Sequence, residues 1–291
     1  MRFNSISPKQ AEIFKFPHEN YDALICDGAV RTGKTIMMIV SFLEWAMHEY
    51  THYNFGICGK TVQSAERNII MPLMQLSSIR RRYQIKYNRS MSMLTVRRNG
   101  VENCFYVFGG KDESSYMLIQ GITLAGVLFD EVVLMPKSFV SQAIARTLSV
   151  TNAKLWFNCN PDRPRHWFYL DWILQAEKHR AKHLHFRLED NPGLTQKAID
   201  RAKADFTGVF YDRYILGKWV AAEGLIYPDV ANGQGIVASK DRPYVKHYIS
   251  IDYGTLNPFS AGLWGLYKGV WYRFDEYYYP PLPQGFLIKT P

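Results

Sequence analysis

Gly28-Ala29-Val30-Arg31-Thr32-Gly33-Lys34-Thr35 is the stretch on which the reading of this sequence turns. Its spacing, Gly-x4-Gly-Lys-Thr, is that of a loop whose successive backbone N–H groups point at phosphate. Before it, Ala23-Leu24-Ile25-Cys26 has the apolar run of a short buried strand. After it, Ile36 to Tyr50 has the pattern of a helix. Strand, glycine-bearing turn and helix N-terminus in that order form a phosphate cradle, because the first amides of a helix are unpaired and carry partial positive charge. Gly28 and Gly33 allow the tight backbone. Lys34 is expected to reach the β- and γ-phosphates of ATP, and Thr35 to offer its hydroxyl to Mg²⁺. Arg31 could swing onto the transferring phosphoryl group from within the same chain, pair with a carboxylate, or face DNA.

Working outward, Val127-Leu128-Phe129-Asp130-Glu131 supplies the second half of such a site. An apolar strand ending in two acids buries itself and leaves its carboxylates at the C-terminal edge of the sheet, where ligands of open α/β sheets bind. Asp130 is expected to hold Mg²⁺ through water, and Glu131 to orient or deprotonate the attacking water. Leu155-Trp156-Phe157-Asn158-Cys159-Asn160-Pro161 is a further buried strand with a polar end. Asn158 or Asn160 could sense the γ-phosphate, or the segment could be an Asn-Pro turn capping the next helix. Gln10 carries a donor and an acceptor that suit an adenine edge, with a solvated side chain as the alternative. Gly59-Lys60-Thr61 lacks the first glycine of a second P-loop, since Asn54 stands there. It reads as a strand-to-helix turn, or with Lys60 facing DNA or a neighbouring subunit.

Composition narrows the class. With 47% apolar residues in 291, the chain can build a packed core and does not resemble a disordered one. No apolar run approaches the ~20 residues of a membrane span, and the N-terminus has no signal-peptide core, so a soluble intracellular protein is expected. Cys26, Cys58, Cys104 and Cys159 are scattered in apolar segments without metal-ligand spacing and read as buried free thiols. The balance of 35 basic against 26 acidic residues, a net charge of +9, suits a polyanionic partner.

The order of segments predicts an α/β fold, a mostly parallel sheet flanked by helices, over residues 1–189. A helix is expected from Gln63 to Leu76, kinked or stopped by Pro72, and a hairpin around Asn99-Gly100. Residues 190–225 read as a small helical lid, opened by Asn191-Pro192-Gly193. A linker at 226–246, with Asn232-Gly233-Gln234-Gly235 at its centre, precedes a second β-rich unit at 247–291. At about 45 residues that unit is too short for an independent α/β domain, so an incomplete one is expected.

Together these stretches resemble the large terminase subunit of tailed bacteriophages, closest to the branch typified by defective Bacillus prophages. Ser7 to Gln10, the P-loop, Gly121 to Pro136, Trp156 to Pro161, His166 to Tyr169, Asp190 to Pro192, Gly208 to Trp219 and Tyr248 to Gly254 carry the resemblance, in order, over nearly the whole chain. It implies an ATP-driven motor that moves double-stranded DNA into a procapsid from the host cytoplasm. The implied machine is a homo-oligomeric ring on the portal protein, supplied with DNA by a small terminase subunit. It implies Gln10 at adenine, Arg31 as a finger acting in cis, and Asn158 to Pro161 as the coupling element. It also implies an RNase H-like nuclease whose first metal-binding acid is Asp252. The family's later acids have no counterpart here, and Asp275 and Glu276, being adjacent, point to opposite faces of a strand, so nuclease activity is expected to be absent or impaired. A helicase or repair motor would add arginine-bearing helicase motifs and a second motor domain, which the sequence lacks. A nucleotide-binding prophage remnant without turnover is the other alternative, against which the intact Lys34, Asp130 and Glu131 stand.

Overall fold

The computed structural model describes residues 5–221, 235–238, 240–252 and 259–279. They fall into two compact units, Met1–Ile226 and Tyr227–Pro291, so the expected lid segment belongs to the first unit. Tyr253, Gly254 and the Asn232-Gly233-Gln234 part of the expected linker lie outside the described residues.

In the first unit, eight strands form one sheet: β1 (Ala23–Gly28), β2 (Asn54–Gly59), β3 (Gln84–Asn88), β4 (Met93–Arg98), β5 (Val101–Gly109), β6 (Gly126–Asp130), β7 (Lys154–Asn158) and β8 (Ala181–Phe186). Their order across the sheet is β3-β4-β5-β2-β6-β7-β1-β8. The six strands from β5 to β8 run parallel, and β4 and β3 add an antiparallel margin. The continuous apolar runs of β1, β6 and β7 follow from burial on both faces. Leu24, Cys26, Leu128 and Trp156 enter one apolar layer, and Ala23, Ile25, Val127, Phe129 and Phe157 enter the other. That alternation is the two-residue period of a strand.

Helix α2 (Lys34–Glu49) is buried around most of its circumference, because it lies between the sheet and α1 (Pro8–Lys15). The Ser41 hydroxyl on α2 donates to the Ile13 carbonyl of α1 at 3.0 Å. Trp156 is fully buried at the centre of this layer, with the rings of Phe16, Phe42 and Trp45 each 4.9 Å from its own.

The helix expected from Gln63 to Leu76 is not regular. It comprises α3 (Val62–Ala65), a π-helical turn at Glu66–Ile70, and α4 (Met71–Gln75). Pro72 is the cause: it lacks an N–H and its ring clashes with the carbonyl four residues earlier, that of Asn68. A wider turn relieves the clash without ending the helix. The short α5 (Ser77–Arg82) follows. The margin strands β3 and β8 were not anticipated from the sequence. Their polar residues, such as Lys182, His183 and His185 of β8, mark strands open on one side. Nor were α1 and α6 (Lys137–Ala145).

The segment expected to be a lid contains α7 (Gln196–Asp205) and α8 (Gly208–Tyr214). Leu188, Ile199 and Ile215 pack with Ala29 of the phosphate loop in a separate small core.

The second unit contains β9 (Lys246–Asp252), β10 (Phe259–Tyr267) and β11 (Val270–Tyr279), paired antiparallel in the order β11-β10-β9. Asp252 pairs with Ser260, and Ser260 with Tyr278. Glu276, two residues from Tyr278, therefore shares the face of Asp252, whereas Asp275 takes the opposite face. Among the described residues no helix is long and apolar enough to cross a membrane.

The aromatic layer yields a stability prediction. Trp156→Ala is expected to lower the unfolding free energy by roughly 3–5 kcal/mol in urea denaturation. A loss below about 1 kcal/mol would show that the layer is not the main core.

Candidate active site

The register of three neighbouring strands assembles the site. Asp130 at the end of β6 pairs with Asn158 at the end of β7, and Asn158 pairs with Cys26 of β1, two residues before the phosphate loop. Walker-type acids, an amide and the loop thus meet at one sheet edge, although they lie far apart in the chain.

The loop itself is tightly confined. A side chain on Gly28 would place its Cβ 2.0 Å from the Phe186 carbonyl oxygen, and φ there is +122°. Gly33, at φ +81°, caps α2 in the left-handed region. Arg31 adopts φ +58° without being glycine, a costly conformation of the kind found at ligand sites. Its side chain is exposed, and the Asn191 amide from the lid segment donates to its carbonyl.

Lys34 is buried, and its ammonium folds back on the loop. It donates to the carbonyls of Gly28 (3.3 Å) and Ala29 (2.7 Å) and to Asn160 Oδ1 (3.1 Å). Burial pushes its pKa down, against the opposing field of Glu131. The Thr35 hydroxyl lies 3.4 Å from Asp130 Oδ1. Asn158 Nδ2 stands between them, donating to Thr35 Oγ1 at 2.9 Å and to Asp130 Oδ1 at 2.7 Å. Burial raises the Asp130 pKa, while donors from Asn158, Asn68 and Thr35 pull it back.

Glu131 takes φ +57° and accepts from Asn160 Nδ2 at 3.1 Å. Asn160 therefore joins the loop lysine to the second acid through its two amide atoms. Burial, and then the neighbouring charge of Asp130, raise the Glu131 pKa to about 7, with Lys34 acting in the other direction.

The structure brings together Lys34, Thr35, Asp130, Glu131, Asn158 and Asn160. The Asn-Pro segment is therefore more than a helix cap. Gln10 sits beside them, 1% exposed. Its Oε1 accepts from the Ser7 N–H and its Nε2 donates to the Thr32 carbonyl at 2.8 Å, leaving one N–H and one lone pair. Lys60 is engaged elsewhere, donating to the Lys111 carbonyl, while Thr61 caps α3. Asp252 belongs to the second unit, where no group of three or more His, Cys, Asp or Glu gathers among the described residues.

Sequence reading missed two contributors. Asn68 Nδ2 donates to Asp130 Oδ2 at 3.3 Å from the π-helical turn. The available signal was Pro72, four residues on, which marks Asn68 as the point where the helix must widen. Asp27, directly before Gly28, is 1% exposed and accepts from His183 (2.8 Å), His185 (3.0 Å) and the indole N–H of Trp219 (2.8 Å). One buried carboxylate thereby ties the base of the loop to the end of the lid segment. Burial pushes its pKa up, but the hydrogen bonds from His183 and His185 outweigh that push and hold it low.

Glu131 gives a pH-dependent prediction. Its folded pKa of about 7 exceeds the unperturbed 4.5, so its contribution to stability is complete below the unperturbed value and is lost as pH rises through about 7. At pH 8 the nucleotide-free protein holds a buried charge that Glu131→Gln removes. The variant is expected to melt roughly 3–8 °C above the parent at pH 8, with the difference shrinking below about pH 7 and closing only below about pH 4.5. Equal melting temperatures at pH 8 would contradict the raised pKa.

A phosphate loop, an acid pair and polar strand ends on one edge of a parallel sheet define a P-loop ATPase. The family model for the terminase large subunit, T4likevirus-type, N-terminal, matches residues 25–230. The large terminase of a thermophilic bacteriophage is similar at 48% identity and a TM-score of 0.73, over 95% of this chain and 69% of that one. The same thermophilic-phage protein in complex with ADP gives 46% identity and a TM-score of 0.72, over 94% and 69%. The bacteriophage HK97 large terminase shares the fold at 13% identity and a TM-score of 0.58, over 96% and 63%. Curated proteins give no match. The chain belongs to the phage terminase large subunits, the ATPases of viral DNA packaging.

Proposed function

We propose that this chain hydrolyses ATP at the β1–β7–β6 edge and uses the energy to move double-stranded DNA into a procapsid. The observation carrying the reading is the meeting of Thr35 and Asp130 oxygens at 3.4 Å, with Asn160 linking Lys34 to Glu131 beside them. Family membership and the ADP complex of the thermophilic-phage relative support nucleotide as the ligand.

The donor set fits Mg²⁺. Thr35 and Asp130 offer hard oxygens, and Asn158 Oδ1 is buried there without a hydrogen-bond partner. Thr35 and Asp130 would hold the ion, which supplies stabilisation of charge on phosphate oxygens. Lys34 exchanges its loop carbonyls and Asn160 for the β- and γ-phosphates. Glu131 orients the attacking water and takes its proton, a role for which a pKa near 7 is suited. Losing Lys34 frees Asn160, which still holds Glu131, so arrival of the γ-phosphate is felt at the base. Arg31 is exposed and unpaired among the described residues, free to reach the phosphoryl group in cis. Gln10 reads adenine with its remaining N–H and lone pair. The working assembly is a ring of copies on the portal protein, with DNA delivered by a small terminase subunit.

Lys34→Ala and Glu131→Gln are each expected to lower ATP turnover by ~10²-fold or more, with Glu131→Gln still binding ATP. In the parent, kcat/KM should fall about tenfold per pH unit below about 7, as Glu131 is protonated. Normal turnover by Glu131→Gln would remove it as the base. From Tyr227 onward the only carboxylates are Asp229, Asp241, Asp252, Asp275 and Glu276. Asp252 is proposed as one metal ligand of a nuclease, but Glu276 is ion-paired with Arg273 and Asp275 faces the other way. Plasmid DNA is therefore expected to remain intact in Mg²⁺ or Mn²⁺ when incubated with these 291 residues alone. Linearisation that Asp252→Asn abolishes would overturn this.

A further inference from the structure

We infer that the arginine-lined hollow between α5 and the β4–β5 turn is a docking surface for the phosphate backbone of double-stranded DNA. The inference rests on the packaging reading above. The hollow has a volume of about 610 Å³ and is lined by five arginines: Arg80, Arg81 and Arg82 from α5, and Arg97 and Arg98 from β4. Glu102 is its single lining carboxylate.

The hollow is remote from the nucleotide. β4 runs antiparallel to β5, so the Asn99-Gly100 turn joining them lies where β5 begins, at the amino-terminal edge of the parallel strands. The phosphate loop occupies the opposite edge, after β1, four places from β5 in the sheet order.

Charge pairing inside the hollow is incomplete. Arg82 is ion-paired with Glu44 at 2.6 Å, and Arg97 is bound by both oxygens of Glu102 at 2.6 and 3.1 Å. Arg80, Arg81 and Arg98 have no carboxylate partner among the described residues. A basic last turn at a helix C-terminus is ordinary, since it complements the helix dipole, and this accounts for α5. It does not account for two more arginines brought to the same hollow by a hairpin. Like charges gathered in one concavity repel unless an anion enters.

The surroundings select the kind of anion. Tyr83 is 6% exposed, and the guanidiniums of Arg82 and Arg98 lie 5.9 and 5.5 Å from its ring centre. The ring orders the cations and offers no free face for stacking an unpaired base, which single-strand binding uses. Guanidinium forks match phosphate oxygens in pairs, and they read no sequence when they do so. Duplex backbone is the ligand that these features fit.

The test measures binding of a fluorescein-labelled duplex of about 30 base pairs by anisotropy across a NaCl series, with basal ATP turnover in parallel. The combined Arg80→Ala, Arg81→Ala, Arg98→Ala variant is compared with the parent and with the three lysine replacements. The alanine variant is expected to bind at least ~10-fold more weakly at low salt, with a log–log salt slope shallower by up to ~2.7. Its basal turnover should be unchanged, and the lysine variant should keep most of the slope. Equal affinity and slope in alanine variant and parent would overturn the proposal. So would unchanged DNA binding with lost binding of polyglutamate, which assigns the hollow to an acidic protein. A parent that hydrolyses ATP yet binds no duplex at any salt would instead sink the packaging reading itself.

Discussion

Asn158 holds the site together. Its amide nitrogen lies between the Thr35 hydroxyl and the Asp130 carboxylate, and its strand lies between β6, which ends in Asp130, and β1, which leads into the loop before Thr35. With Asn158 in place, the loop and the acid pair share one frame. Moving β7 by one residue along either neighbour would reverse its faces, sending Asn158 into an apolar layer and Phe157 toward the ligand. The apolar layers on both sides oppose that shift. The fully buried Trp156 and Phe157 are each committed to a different layer, so core packing and site geometry depend on the same register.

Around this centre the polar groups form a chain of exchangeable contacts rather than a rigid cage. Lys34 is satisfied by two loop carbonyls and Asn160, and Asn160 is satisfied by Glu131. Buried polar groups must keep partners, so a phosphate that captures Lys34 alters what Asn160 and Glu131 experience. On the other side of the loop, Asp27 accepts from two β8 histidines and Trp219, and Ala29 packs against Leu188 and Ile215. The helical segment is thus fastened to the glycine-bearing loop.

The π-helical turn shows how a local constraint serves the site. Pro72 prevents a regular helix, the chain widens at Glu66–Ile70, and Asn68 from that turn reaches Asp130. The cost of the irregular turn is offset by a further donor to a carboxylate that burial would otherwise drive toward its neutral form.

Much of this was legible in the residues alone. The glycine and lysine spacing, the apolar runs and the Asp-Glu ending specify a phosphate loop, buried strands and an acid pair, because those depend on local backbone demands and on burial over a few residues. The hairpin at Asn99-Gly100 was legible for the same reason. What the sequence did not contain in readable form was adjacency. The place of β7 between β1 and β6, the margin strands β3 and β8 with their ordinary polar alternation, the buried bridge from Asp27 to Trp219, and the convergence of α5 and β4 arginines all join residues distant in the chain. Such contacts are decided by strand register and by packing of the two apolar layers, which are properties of the whole fold and of no single segment.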